Sequence, residues 1–170
     1  ILATHVFGNP CDVEAISVIA KKHNLKVIYD AAHAFGTQHK GKSLLEYGDV
    51  STCSFHSTKL FHTVEGGAVI SPHADVAKRM AMMRNFGHSS ATEFGDVGIN
   101  GKNSEFHAAM GLCNLKYIAD ILAVRRKLSE RYISNFVGQS IKFQKILPET
   151  EYNYAYFPVI FESEAVLLKL

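Results

Sequence analysis

The sequence has none of the glycine-rich loops that hold nucleotide phosphates: neither G-x-x-x-x-G-K-[ST] nor G-x-G-x-x-G occurs, so a nucleotide triphosphatase and a dinucleotide-dependent dehydrogenase have no anchor. Cysteine is scarce. Cys11, Cys53 and Cys113 are odd in number and form no C-x-x-C pair, which argues against a disulfide framework and for a reduced compartment, the cytoplasm by default. Net charge is almost missing as well. Lys plus Arg number 18 against 16 Asp plus Glu, so no global field favours nucleic acid or an anionic membrane, and any phosphate recognition has to be local. No uncharged run is long enough to cross a bilayer, and no basic leader precedes an apolar segment. Internal repeats and low-complexity tracts are absent. Four histidines, His33, His39, His56 and His62, invite a metal reading, but none of their spacings gives the tight i, i+4 pair with a carboxylate that catalytic zinc favours, so no metal is expected.

What is present is enough for an ordinary domain: 170 residues, 47% of them hydrophobic, sufficient for a core in a soluble globular body. Leu2 to Phe7 reads as a short strand ended by Gly8-Asn9-Pro10. Asp12 then caps a helix in which Val13, Ile16, Ile19 and Ala20 recur at helical spacing, with Lys21, Lys22 and His23 in the last turn and Asn24 as the stop. The run Val27-Ile28-Tyr29 is too short for a helix. Strand–helix–strand is the economical arrangement and implies a parallel sheet, hence an α/β fold with helices flanking a mostly parallel sheet. Gln38 to Lys42 suggests a hairpin turn, and Tyr47-Gly48-Asp49 the turn into a strand that ends near Ser54. Ala68-Val69-Ile70 reads as a further strand stopped by Ser71-Pro72, followed by a helix from Asp75 to Phe86. His88 to Lys102 is rich in Gly, Ser, Thr and Asn and long for a loop, so it is either a functional segment or a plain surface loop. Asn103 or Ser104 can cap a helical stretch to Phe136, with a break expected near Ala119-Asp120. Asn153 to Phe161 reads as a strand leading into a helix begun after Glu162-Ser163-Glu164.

Two stretches concentrate polar chemistry. In Gly48 to Gly67 a β-branched strand delivers Ser54 to its carboxyl end, followed by His56, Lys59 and the pair Gly66-Gly67. A hydroxyl with free backbone N–H groups beside an amine suits a phosphorylated ligand, and a desolvated lysine can be a nucleophile. By itself, a lysine after a Ser/Thr cluster is more often a solvated loop residue. In Leu25 to Gly36 an apolar strand ends on Asp30, followed by Ala31-Ala32-His33. An Asp there is equally a helix N-cap, and a lone His33 equally a structural histidine. Open parallel sheets bind ligands beyond the carboxyl ends of their strands, so Asp30 and Ser54 can face one site.

Taken together, the D-A-A-H run at Asp30–His33 and the S-F-H-x-x-K run at Ser54–Lys59, in that order, resemble the DegT/DnrJ/EryC1/StrS family of pyridoxal-phosphate (PLP) sugar aminotransferases. The resemblance covers nearly the whole chain. It implies a fold-type-I large domain over residues 1–138, including its long connecting helix region, and the start of a small C-terminal domain over 139–170. It also implies a piece of a longer protein, which begins at Ile1 inside a strand and lacks an N-terminal segment that completes the phosphate cup. By the same resemblance Lys59 is the lysine that carries PLP as a Schiff base and then moves the substrate proton. Asp30 faces the pyridine nitrogen and keeps it protonated, so that the ring acts as an electron sink. His33 lies by the ring and its 3′-oxygen, and Ser54 binds the phosphate. Asn100, in Gly98 to Asn103, corresponds to an asparagine sent across a homodimer interface to the partner's cofactor, although Lys102-Asn103 departs from the common pattern. His56 is given no role.

The implied reaction moves an amino group from an amino acid, commonly L-glutamate, to a nucleotide-linked keto-deoxysugar, and the sequence details look most like members acting on dTDP-keto-6-deoxyhexoses. Two alternatives stand beside it: a non-catalytic binding or assembly module that retains the fold, and a PLP-dependent sugar dehydratase. Lys59 argues against the second, because such dehydratases carry histidine in its place.

Overall fold

The computed structural model describes residues 1–168. The first half of the chain contains β1 (Leu2–Thr4), α1 (Val13–Lys22), β2 (Ile28–Asp30), β3 (Gln38–His39), β4 (Lys42–Ser43), β5 (Val50–Ser54), β6 (Gly67–Ile70) and α2 (Ala74–Met83). The second half contains α3 (Glu105–Leu115), α4 (Ile118–Asn135), β7 (Ile141–Phe143), β8 (Thr150–Glu151), β9 (Val159–Phe161) and α5 (Glu164–Leu167).

The main sheet runs β1-β2-β5-β6, with β1, β2 and β5 parallel and β6 antiparallel to β5. The α/β expectation therefore holds. The crossover through α1 gives the chain the length to return β2 parallel to β1, and the segment through β3 and β4 does the same for β5, while the short loop after β5 brings β6 back antiparallel. In α1, Asp12 caps the helix by accepting the Ala15 N–H at 2.9 Å. Its buried Val13 and Ala20 meet Val27 and Tyr29 in the first core cluster. Ala31 and Ala34, from the turn that follows Asp30, form the second with Leu44. Two small antiparallel sheets, β4-β3-β8 and β7-β9, complete the secondary structure.

Several boundaries differ from the sequence reading. The first strand stops at Thr4, because Val6–Gly8 closes a tight turn in which Phe7 has φ 59°. The long helical stretch breaks at Lys116–Tyr117, not at Ala119-Asp120. There the N–H groups of Lys116 and Tyr117 bond the carbonyls of Cys113 and Asn114, and Asp120 lies in the first turn of α4 without capping it. From Asn153 to Phe161 only Val159–Phe161 is strand; before it Asn153 turns its side chain onto the His33 and Phe35 carbonyls and Tyr154 has φ 53°, which breaks an extended run. Strands β7 and β8 had no recognised signal. The helix anticipated at the end is α5, and Lys169 and Leu170 lie outside the described residues.

Candidate active site

Asp30 and Ser54 are the last residues of parallel neighbours. Asp30 stands opposite Thr52, so Ser54 projects two residues further along the same edge. No helix follows Asp30. Its Oδ1 instead accepts the Ala32 N–H at 3.0 Å, and its carbonyl takes the His5 N–H at 3.0 Å. The other carboxylate oxygen has no hydrogen-bond partner, and Asp30 is in no salt bridge, among the described residues. Ser54 Oγ receives the His56 N–H at 3.4 Å. Lys59 lies in a turn closed by its own N–H on the His56 carbonyl at 2.9 Å, and its ammonium has no carboxylate counter-ion among the described residues.

The ring of His33 forms a three-ring cluster with Phe7 (centroids 6.3 Å, nearly parallel) and Tyr156 (4.5 Å, tilted), which also meet each other at 5.6 Å. Its Nδ1 accepts the Phe7 N–H at 3.2 Å, so the neutral ring carries its proton on Nε2. Burial lowers the His33 pKa, the Lys59 charge lowers it further, and the Asp30 carboxylate opposes both. Cys53, one residue before Ser54, responds to the same two charges: burial pushes its thiol up to about 11, Lys59 pulls down and Asp30 pushes up. Two side chains 29 positions apart thus act on one pair of groups at one edge of the sheet. Asn100 lies elsewhere. Exposed on the loop after α2, it pairs with Asn85 and accepts Lys102 Nζ at 2.8 Å, and no hydrogen bond among the described residues joins it to Asp30, His33, Ser54 or Lys59.

The two loops are fastened by residues that sequence reasoning passed over. Phe35, after the aspartate, stacks on Phe61 at 4.5 Å, and Phe55 closes the cluster edge-on at 5.0 Å from Phe61. Both runs carry phenylalanine close to the polar residues, a signal that was available. Asn153, fully buried, donates from Nδ2 to the carbonyls of His33 and Phe35, both at 2.8 Å, and accepts the Ala155 N–H. Gly8 lies against this clamp, and a Cβ there would come within 2.6 Å of the His33 carbonyl and 2.8 Å of Asn153 Oδ1. On the other side α3 grips the lysine loop, with Asn114 Nδ2 on the His62 carbonyl at 2.8 Å and Gly111 so close that a Cβ would meet Thr63 Cγ2 at 2.8 Å. Nothing in one sequence marks Asn153 or Asn114 for these tasks, because their partners are distant carbonyls. A cavity of about 600 Å³ lined by α1 and the segments that lead into β2 and β5 lies at the opposite edge of the sheet from this chemistry.

Chemically, the edge offers an amine without a counter-ion, a carboxylate oxygen without a partner, an imidazole N–H and a hydroxyl. The profile of the DegT/DnrJ/EryC1/StrS aminotransferase family matches residues 1–169. Among curated proteins, the dTDP-4-amino-4,6-dideoxy-D-glucose transaminase of Shigella dysenteriae is 41% identical over 169 residues, covering 96% of this chain and 45% of that protein. The Escherichia coli protein of the same name is 38% identical over 168 residues, covering 96% of this chain and 44% of its own length. The crystal structure of DesI in the presence of its TDP-sugar product superposes with a TM-score of 0.86 at 31% identity, over 95% of this chain and 41% of that one. The chain thus spans a little under half the length of these relatives.

Proposed function

The chain belongs to the DegT/DnrJ/EryC1/StrS aminotransferase family, and from that membership we propose that it forms the cofactor-binding part of a PLP-dependent aminotransferase acting on a nucleotide-linked keto-deoxysugar. The observation that carries this is geometric: Asp30 and Ser54 end neighbouring parallel strands at one edge of the sheet, and the Phe35–Phe61–Phe55 cluster ties the loop after Asp30 to the loop that carries Lys59. The donor set fits PLP. An unpartnered carboxylate oxygen suits a protonated ring nitrogen, an N–H donor suits a phenolate oxygen, a hydroxyl suits a phosphate, and an amine without a counter-ion suits an aldehyde. When bound, PLP supplies the electron sink that makes a substrate α-proton removable.

The chain's own residues do the rest. Asp30 holds a proton at the ring nitrogen by opposite charge, and the turn at Ala32 fixes the carboxylate that does so. His33, kept neutral with its proton on Nε2, donates without adding a second cation beside Lys59. Ser54 anchors the phosphate. Lys59 would hold the cofactor through its aldehyde carbon and, once released as a free amine, would be the group to move a proton at the substrate carbon. Asn100 serves the partner protomer's phosphate in a homodimer, L-glutamate is the amino donor, and residues 139–170 open a small C-terminal domain. A cytoplasmic enzyme fits the free state of Cys11, Cys53 and Cys113.

The test is spectroscopic. The intact protein with PLP should develop the visible band of lysine-bound cofactor, and L-glutamate should bleach it as the amino group transfers. Lys59→Ala should abolish both changes with the fold intact by circular dichroism. An intact protein that never develops the band is the binding module instead.

A further inference from the structure

Lys59 has a histidine three positions before it and another three positions after it, and the two rings are used in the same way. His56 Nδ1 lies 3.2 Å from the Thr58 N–H and 2.8 Å from Thr58 Oγ1. His62 Nδ1 lies 3.3 Å from the Val64 N–H. Each imidazole therefore accepts the backbone N–H two residues ahead, as an Asn or Asp side chain does in an Asx turn. An N–H can donate only to a ring nitrogen that has no proton, so both rings carry theirs on Nε2. The first turn also closes on Lys59 itself, whose N–H bonds the His56 carbonyl at 2.9 Å. The second holds Val64 at φ 68°, a conformation a β-branched residue avoids without support.

The loop between the rings is also anchored by buried Phe61, which stacks on Phe35 and meets Phe55 edge-on. Thr63 N–H reaches the Phe55 carbonyl at 2.9 Å, and Asn114 holds the His62 carbonyl. The outer nitrogens are loosely placed: His56 Nε2 is 3.7 Å from a Glu65 carboxylate oxygen, and His62 Nε2–H faces the Asn114 amide nitrogen, itself a donor to the His62 carbonyl, at 3.5 Å without bonding to it. We propose that His56 and His62 are positioning residues that bracket Lys59 and fix its direction through their Nδ1 lone pairs. The inference rests on Lys59 being the reactive amine. The imidazole protonation pattern does not, and so can be measured separately.

The experiment substitutes each histidine twice. Asn keeps an acceptor at the position of Nδ1 and loses the outer nitrogen, while Gln keeps a nitrogen near Nε2 and loses the inner acceptor. In the intact protein, His56→Gln and His62→Gln should lower the transamination kcat about tenfold with the sugar KM unchanged, whereas His56→Asn and His62→Asn should stay within about threefold of the parent. Imidazole ¹⁵N shifts of the parent protein without added PLP should report the Nε2–H form for both rings. Equal losses in the Asn and Gln variants, no loss in either, or an Nδ1–H ring would overturn the proposal. If Lys59 fails to take up PLP while both rings carry Nε2–H, the brackets stand as loop structure and it is the role of the lysine that has failed.

Discussion

His5 shows what one side chain at this edge of the sheet contributes. Fully buried, it stacks on Tyr29 at 4.6 Å and accepts the Cys11 N–H on Nδ1 at 3.0 Å. Burial lowers its pKa to about 4 from 6.5, against a smaller upward pull from Asp30. The sign follows directly. Between pH 6.5 and about 4 the unfolded chain binds a proton at His5 that the folded chain refuses, so stability is complete above the upper value and is lost as pH falls through the window. The loss is on the order of 3 kcal/mol. Denaturant midpoints measured from pH 7 to pH 4 should fall accordingly, and His5→Phe, which keeps the stacked ring, should flatten that part of the profile. An unchanged slope in His5→Phe would put the acid sensitivity elsewhere. Asp30 and Lys59 were singled out by the family their D-A-A-H and S-F-H-x-x-K runs resemble, whereas His5 carried no such mark, because its task is set by Tyr29, which only the fold brings beside it.

At the level of elements, α3 matters for what it presses against. Gly→Ala inside a helix ordinarily stabilises by about 1 kcal/mol. Gly111→Ala should do the opposite, costing roughly 1–3 kcal/mol, because its Cβ would meet Thr63 Cγ2 at 2.8 Å. Thr63→Ser removes that methyl while keeping the hydroxyl bond to the Glu65 carbonyl. The double variant should therefore recover most of the loss in a thermal-unfolding cycle, and strict additivity would contradict the contact. The elements differ in how far local sequence defined them. Helix α1 was legible because Asp12, its apolar spacing and its closing lysines agree, and β2 and β5 because their β-branched runs end in turn residues. The break at Lys116–Tyr117 was not, since it is made by backbone bonds to Cys113 and Asn114 and not by a capping side chain. Strands β7 and β8 were hidden for a related reason: at three and two residues they are too short to show a period, and β8 exists because it pairs with β3.

Across the whole molecule, three segments far apart in sequence meet behind Asp30: residues 5–9, 31–36 and 152–156. Asn153 is their fastening. Asn153→Ala should leave two buried carbonyls and one N–H without partners and cost roughly 2–4 kcal/mol. It should also free the His33 ring from Tyr156, so that the rate of PLP capture falls along with the unfolding midpoint. A variant that loses stability while capturing PLP at the parent rate would show that the clamp supports the fold and not the site. The D-A-A-H and S-F-H-x-x-K runs supplied the polar residues proposed for that site, but the phenylalanines and asparagines that join the runs became visible only in three dimensions.

The most direct measurement is to incubate the intact protein with PLP, reduce it with borohydride, and locate the pyridoxyl group by peptide mass spectrometry. A single label on Lys59, absent when Asp30→Asn weakens retention of the cofactor, is the predicted result. A label spread over surface lysines, or fixed on any lysine other than Lys59, would contradict the account.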